Sequence, residues 1–174
     1  MHISHPTYWP EFYTATIVHW KHILADEQIK FLIIESLQFL VNAGKIELNA
    51  FVIMSNHIHL IWQALGDSSP EEIRSSFMKY TARKIKEKLA EISPYLIDEL
   101  KVNKYDRQYQ IWKREALSVE LFTQKVFFQK LDYLHENPVR AGLCKYPEDY
   151  HYSSARFYCD GIDEFNMLTH YLGK

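Results

Sequence analysis

The chain has 174 residues, 47 % hydrophobic and 24 % charged, with a net charge of −2; that length buries one core of ordinary size, so we expect a single domain over residues 1–174, globular rather than disordered or fibrous. No apolar run approaches the ~20 residues of a membrane span. Cys144 and Cys159 form no CxxC or Cys/His cluster and no charged-then-apolar leader opens the chain, so the expectation is a cytoplasmic protein with no membrane contact, structural disulfide or zinc finger. The slight acidity counts against a broadly cationic nucleic-acid binder and leaves only a local basic face to meet phosphates.

Residues 13–20 (YTATIVHW) are rich in β-branched and aromatic side chains and predict a strand. Over residues 26–42, Ile29, Leu32, Ile33, Leu37, Leu40 and Val41 recur at helical spacing, with Asp26 as N-cap and Gly44 as stop. Residues 46–54 and 58–65 predict two apolar-rich strands around a tight turn at Ser55 and Asn56. Ser69-Pro70-Glu71-Glu72 is a capped helix start with Pro at the first position, and the helix should run to about Glu91. Residues 92–111 lack periodicity and are an insert or lid without an assigned form. A short strand follows at 111–117, then a helix over 119–137 that Pro138 should end. The remainder, to Lys174, reads as irregular with a short closing helix.

The order β-α-β-β-α-β followed by a helix is the split βαβ pattern of an α+β, ferredoxin-like domain. It predicts an antiparallel sheet with helices on one face, the other face left to a ligand, plus a C-terminal extension. Such a fold decides no function, which must come from particular residues.

Two constellations carry chemistry. In His57-Ile58-His59, strand alternation puts both imidazoles on one face, about 7 Å apart along the chain. Two such rings can hold one metal, for which imidazole suits Mn, Zn, Ni or Fe, with a third ligand from elsewhere; the plainer alternative is a pair of polar residues on a solvated strand face. Near the end of the 119–137 helix, Tyr133 and Asn137 stand one above the other, since four residues turn about 400°. The inward face of this helix should be filled by Leu121, Phe122, Phe128 and Leu131. A tyrosine hydroxyl is a weak nucleophile, but beside a metal-polarised phosphate it needs only proximity and proton removal.

The segment Ala50-Phe-Val-Ile-Met-Ser-Asn-His57-Ile-His59-Leu-Ile-Trp62 resembles the HUH strand of the IS200/IS605-like Y1 transposases. Leu131-Asp-Tyr133-Leu-His-Glu-Asn137-Pro-Val-Arg-Ala-Gly142 resembles their nucleophile helix and the turn after it, and Pro147-Glu-Asp-Tyr150-His-Tyr-Ser153-Ser154-Ala resembles the tail of the branch related to REP-associated tyrosine transposases. The resemblance implies that His57 and His59 are metal ligands, that Asn137 is the third, where shorter members often use Gln, and that Tyr133 is the nucleophile. It implies Mg or Mn as the cofactor, single-stranded or hairpin DNA as the partner, and cleavage with strand transfer through a 5'-phosphotyrosine. Monomer and homodimer both stay open. Because Asn137 precedes Pro138, its backbone should lean away from the helical region and its side chain away from Tyr133.

For DNA contacts, the helix bearing Arg74, Lys79, Arg83, Lys84, Lys86 and Lys88 offers six cations, and Lys113, Arg114 and Arg140 flank the catalytic segments. Arg114, Arg140, Arg83 and Lys84 are the candidates for neutralising phosphates, against the alternative of a solvated face partly paired by Glu87 and Glu91. Three other functions use parts of the same pattern: a domesticated REP-type hairpin nuclease or binder, a non-catalytic RRM-like module whose sheet aromatics stack bases, and a metal-dependent phosphoesterase that leaves no covalent adduct.

Overall fold

In the computed structural model, which describes residues 7–172, six strands and five α-helices follow one another along the chain. They are β1 (Glu11–Thr16), α1 (Glu27–Asn42), β2 (Ile46–Ile53), β3 (His57–Ala64), α2 (Pro70–Ile92), α3 (Pro94–Glu99), β4 (Lys101–Lys104), β5 (Arg107–Tyr109), β6 (Leu117–Glu120), α4 (Gln124–Arg140) and α5 (Ala155–Asp160). Strands β1, β2, β3 and β6 form one antiparallel sheet in the order β2-β3-β1-β6, the ferredoxin-like arrangement.

Local chemistry sets the helix starts. Asp26 accepts from the backbone N–H groups of Gln28 and Ile29 and opens α1. Ser69 and Glu72 make a reciprocal capping box at α2, and Thr123 accepts from the Val126 N–H at α4. Strand β1 is shorter than residues 13–20 suggested, because the chain leaves the sheet after Thr16 and makes a single 3-10 turn over Val18–Trp20. Residues 92–111 fold into α3 and the β4–β5 hairpin.

Alternation along the strands divides the interior in two. Tyr13, Ala15, Leu60 and Trp62 point to the side covered by α1 and α2, packing with Ile33, Leu37, Phe77 and Ile85. Phe12, Val52 and Ile61 point the other way, where α4 lies on them through Phe127, Leu131 and Leu134. The second face is therefore shared between a helix and the residues His57 and His59, and is not left wholly open to a ligand. Helix α4 begins at Gln124, five residues later than expected, so Leu121 and Phe122 lie outside it. Leu121 and Leu131 are buried as predicted, whereas Phe122 and Phe128 are exposed and Phe127 and Leu134 take the inward places.

Pro138 does not end α4. It lies three residues before Ala141, the C-cap, so the helix forgoes one ladder bond only within its last turn. The following N–H groups still find carbonyls, Ala141 to Asn137 at 3.0 Å and Leu143 to Pro138 at 2.9 Å, and the Arg140 guanidinium donates to the Tyr133 carbonyl at 2.8 Å. The C-terminal extension pairs with the outer edge of β2: Ile53 donates to the Tyr152 carbonyl and Ser154 to the Phe51 carbonyl, both at 2.9 Å. That covers a strand edge which would otherwise template association. No helix among the described residues is long and apolar enough to cross a membrane.

Candidate active site

Register brings the site together. In the β1–β3 ladder His59 stands opposite Thr14 and His57 opposite Thr16. The His57 and His59 rings lie 4.8 Å apart between centroids, and the Tyr133 ring from α4 lies 5.5 Å from His59. Phe12 forms the floor, stacked on His59 at 5.2 Å and edge-on to Tyr133 at 6.0 Å. Asn137 places its side chain beside that of His57. It stays helical despite Pro138, so the expected lean away from Tyr133 does not occur.

Each imidazole is held from behind. The Nδ1 of His57 lies 2.7 Å from Asn56 Oδ1, and the Nδ1 of His59 lies 2.7 Å from Thr14 Oγ1. An amide oxygen can only accept, so His57 carries its proton on Nδ1 and presents the Nε2 lone pair; the Thr14 hydroxyl serves His59 the same way when it accepts. Burial pushes the pKa of His57 down, and burial, then His57, Arg140 and Lys130 push that of His59 down to about 3. Both rings are therefore neutral near pH 7, the form that ligates metal. Among the described residues no group of three His, Cys, Asp or Glu gathers anywhere. The donor set here is two imidazoles and one amide, which fits a divalent ion and, being uncharged, leaves the ion's full charge for phosphate oxygens.

Cations ring the tyrosine. The Arg140 guanidinium lies 4.6 Å and the Lys130 ammonium 5.9 Å from the centre of the Tyr133 ring, and Lys130 also lies 4.9 Å over Phe12. Neither has a carboxylate partner within ion-pair distance among the described residues. Tyr133 itself is 47 % exposed. The result is a neutral-ligand, cation-rimmed hollow with a reachable phenol, an arrangement suited to a phosphodiester.

The IS200-like transposase family matches residues 14–124, more than half of the chain. This chain belongs to that family. The matched stretch contains His57 and His59 and stops at the first residue of α4, before Tyr133 and Asn137. No curated protein matches the chain. In structure it is similar to a REP-associated tyrosine transposase bound to a REP hairpin, with TM-score 0.60 and 16 % identity over 100 % of this chain and 96 % of that one. It also resembles, at TM-score 0.48 and 13 % identity over 78 % of this chain and 97 % of the other, a protein described as a transposase from Deinococcus radiodurans R1. The first likeness shows the fold, and the second is too distant to carry argument.

In this IS200-like transposase the expected DNA-contacting residues divide. Arg140 sits at the candidate site. Arg83 and Arg114 line grooves between α2 and residues 107–116, Arg114 also facing Asp106 at 3.5 Å, while Lys84 pairs with Glu87 at 3.1 Å. These three belong to the α2 side of the sheet rather than the α4 side. Sequence reasoning missed Thr14, Asn56, Phe12 and Lys130. Lys130 was within reach, three residues before Tyr133 and thus on its face of α4; Thr14 and Phe12 depend on strand register, which pattern alone does not supply.

Proposed function

We propose that this transposase cuts single-stranded DNA beside a hairpin and rejoins it through a 5'-phosphotyrosine, with Tyr133 as nucleophile and His57, His59 and Asn137 as ligands of Mg or Mn. The observation that carries the reading is the meeting of Tyr133 with His59, at 5.5 Å, from two elements far apart in the chain, β3 and α4. When bound, the divalent ion supplies positive charge that polarises the scissile phosphate.

The chain's own residues do the rest. Asn56 and Thr14 orient the two imidazoles, and burial keeps them unprotonated. The phenolic oxygen of Tyr133 forms a bond to phosphorus as the bond from phosphorus to the 3' oxygen breaks, and the phenolic proton ends on the departing 3'-hydroxyl. Arg140 and Lys130 place positive charge where negative charge grows around phosphorus. One phosphodiester is exchanged for another, so attack by a different 3'-hydroxyl reverses the step without ATP.

Hairpin DNA as the substrate form is supported by the structural relative, which was bound to a REP hairpin. An RRM-like reading requires exposed aromatic rings on the sheet, but Phe12 is 2 % exposed beneath α4 and Tyr13 1 % on the opposite side. The test is incubation of labelled hairpin DNA carrying single-stranded flanks with the protein and Mn, followed by denaturing electrophoresis. The wild type should give a covalent protein–DNA band, lost in Tyr133→Phe, His57→Ala and His59→Ala. Cleaved DNA with no such band would make the protein a phosphoesterase instead.

A further inference from the structure

Between β1 and α1 the chain forms a loop sewn to the β2–β3 turn. Ile17 N–H donates to the Asn56 carbonyl at 2.8 Å, Leu24 N–H to the Ser55 carbonyl at 2.9 Å, and the His22 Nδ1 and Ser55 hydroxyl lie 2.7 Å apart. At the tip His19 and Trp20 stand side by side at φ 54° and 52°, a region that residues with side chains adopt where their surroundings compel it. Val18 of this turn is buried, but the two strained residues gain little burial themselves, for His19 is exposed and the Trp20 side chain ends 60 % exposed.

What the turn achieves is placement. The Trp20 carbonyl accepts from Asn56 Nδ2 at 3.5 Å, while Oδ1 of the same amide takes the Nδ1 proton of His57. The Lys113 ammonium lies 3.9 Å over the indole, and the Lys113 N–H donates at 2.7 Å to the carbonyl of Thr16, the sheet partner of His57. Lys113 also lines the groove that holds Lys79, Arg107 and Arg114. An aromatic plane and a cation are thus anchored to the residues that position the candidate metal ligand.

We propose that Trp20 and Lys113 form a nucleotide subsite beside the cutting site, in which the indole stacks on an unpaired base and the ammonium takes an adjoining phosphate. This rests on the single-stranded DNA reading above. An exposed indole next to a cation offers a base its π-face and the backbone a counter-charge, the combination by which single strands are held. A base inside a duplex has no free face to offer, so the subsite favours unpaired flanks over the stem.

The test measures binding of the full-length protein to two labelled probes, a blunt hairpin and the same hairpin with a single-stranded flank. Trp20→Leu should weaken the flanked probe about tenfold or more and leave the blunt one within about twofold; Lys113→Met should weaken the flanked probe and lower its salt slope by about one. In parallel, 5-iodouracil in the flank should photo-crosslink wild-type protein at Trp20, which needs no variant and decides the matter if Trp20→Leu misfolds. A wild type that prefers the flanked probe, with Trp20→Leu unchanged or crosslinks mapping only elsewhere, overturns the subsite alone. A wild type that binds neither probe overturns the single-strand reading and the subsite with it.

Discussion

Asn56→Ala tests how the site is held. The amide makes two contacts, accepting from His57 Nδ1 at 2.7 Å and donating to the Trp20 carbonyl at 3.5 Å. Only the first has good geometry, and Asn56 is half-buried, so the cost in stability should be about 1 kcal/mol. The cost to metal binding should be larger. Without the acceptor, His57 is free to carry its proton on either nitrogen and to rotate, and losses of this kind lower metal affinity about 10- to 100-fold. Asn56→Asp keeps an acceptor for Nδ1 and should retain most of the affinity. Titration calorimetry with Mn at pH 7.5, alongside urea melts, separates the two effects. Mn affinity in Asn56→Ala equal to wild type, with the fold intact, would refute the argument that this hydrogen bond presents His57 to the metal.

Thr14→Val removes the hydroxyl facing His59 Nδ1 while keeping its shape; Mn affinity should again fall about 10- to 100-fold, and an unchanged titration would contradict this. Leu134→Ala, a fully buried position on the inner face of α4, should cost about 2–5 kcal/mol, measured by urea denaturation; a loss well under 1 kcal/mol would mean α4 is not anchored there. His135 is buried against Ser154, and burial pushes its pKa from 6.5 down to about 4. Between those values the unfolded chain takes up a proton that the folded chain refuses. This contribution is intact above pH 6.5 and is lost as pH falls toward 4, by about 2 kcal/mol at pH 5. Urea melts in EDTA at pH 7.5 and 5 should therefore show a smaller difference for His135→Gln than for wild type, His59 supplying part of what remains, and an equal difference would refute the assignment.

Much of this was legible in the chain, for physical reasons that also mark the limits. Asp26 and the Ser69–Glu72 box act on N–H groups two or three residues away, so local sequence is enough to place those helix starts. Alternation about Ile58 likewise put His57 and His59 on one face. The pairing of Thr14 with His59 depends on how β1 slides against β3, which neither strand encodes alone. Asn56 follows Ser55 in a way that marks a turn, and it is one; its second task, holding His57, emerges only when the loop from β1 closes over it. The inward face of α4 is ambiguous from pattern alone, because Leu121, Phe128 and Leu131 also recur at helical spacing, and only packing on β2 and β3 selects Phe127, Leu131 and Leu134. Pro138 misled for a different reason, since a proline stops a helix reliably only when several further bonds depend on it. The β4–β5 hairpin, built from Lys, Asn, Arg and Gln with little alternation, gave no strand signal.

Whether Tyr133 forms the covalent bond to DNA can be read by peptide mapping. Wild-type protein trapped on a nicked single-stranded oligonucleotide in Mn is digested and analysed by mass spectrometry. A nucleotide adduct should appear on the peptide containing residues 131–140, at Tyr133, and be absent in Tyr133→Phe, which removes one atom and keeps the ring against Phe12 and His59. An adduct on another tyrosine, such as Tyr80 on α2 or Tyr150 in the tail, or cleavage that persists in Tyr133→Phe, would contradict it.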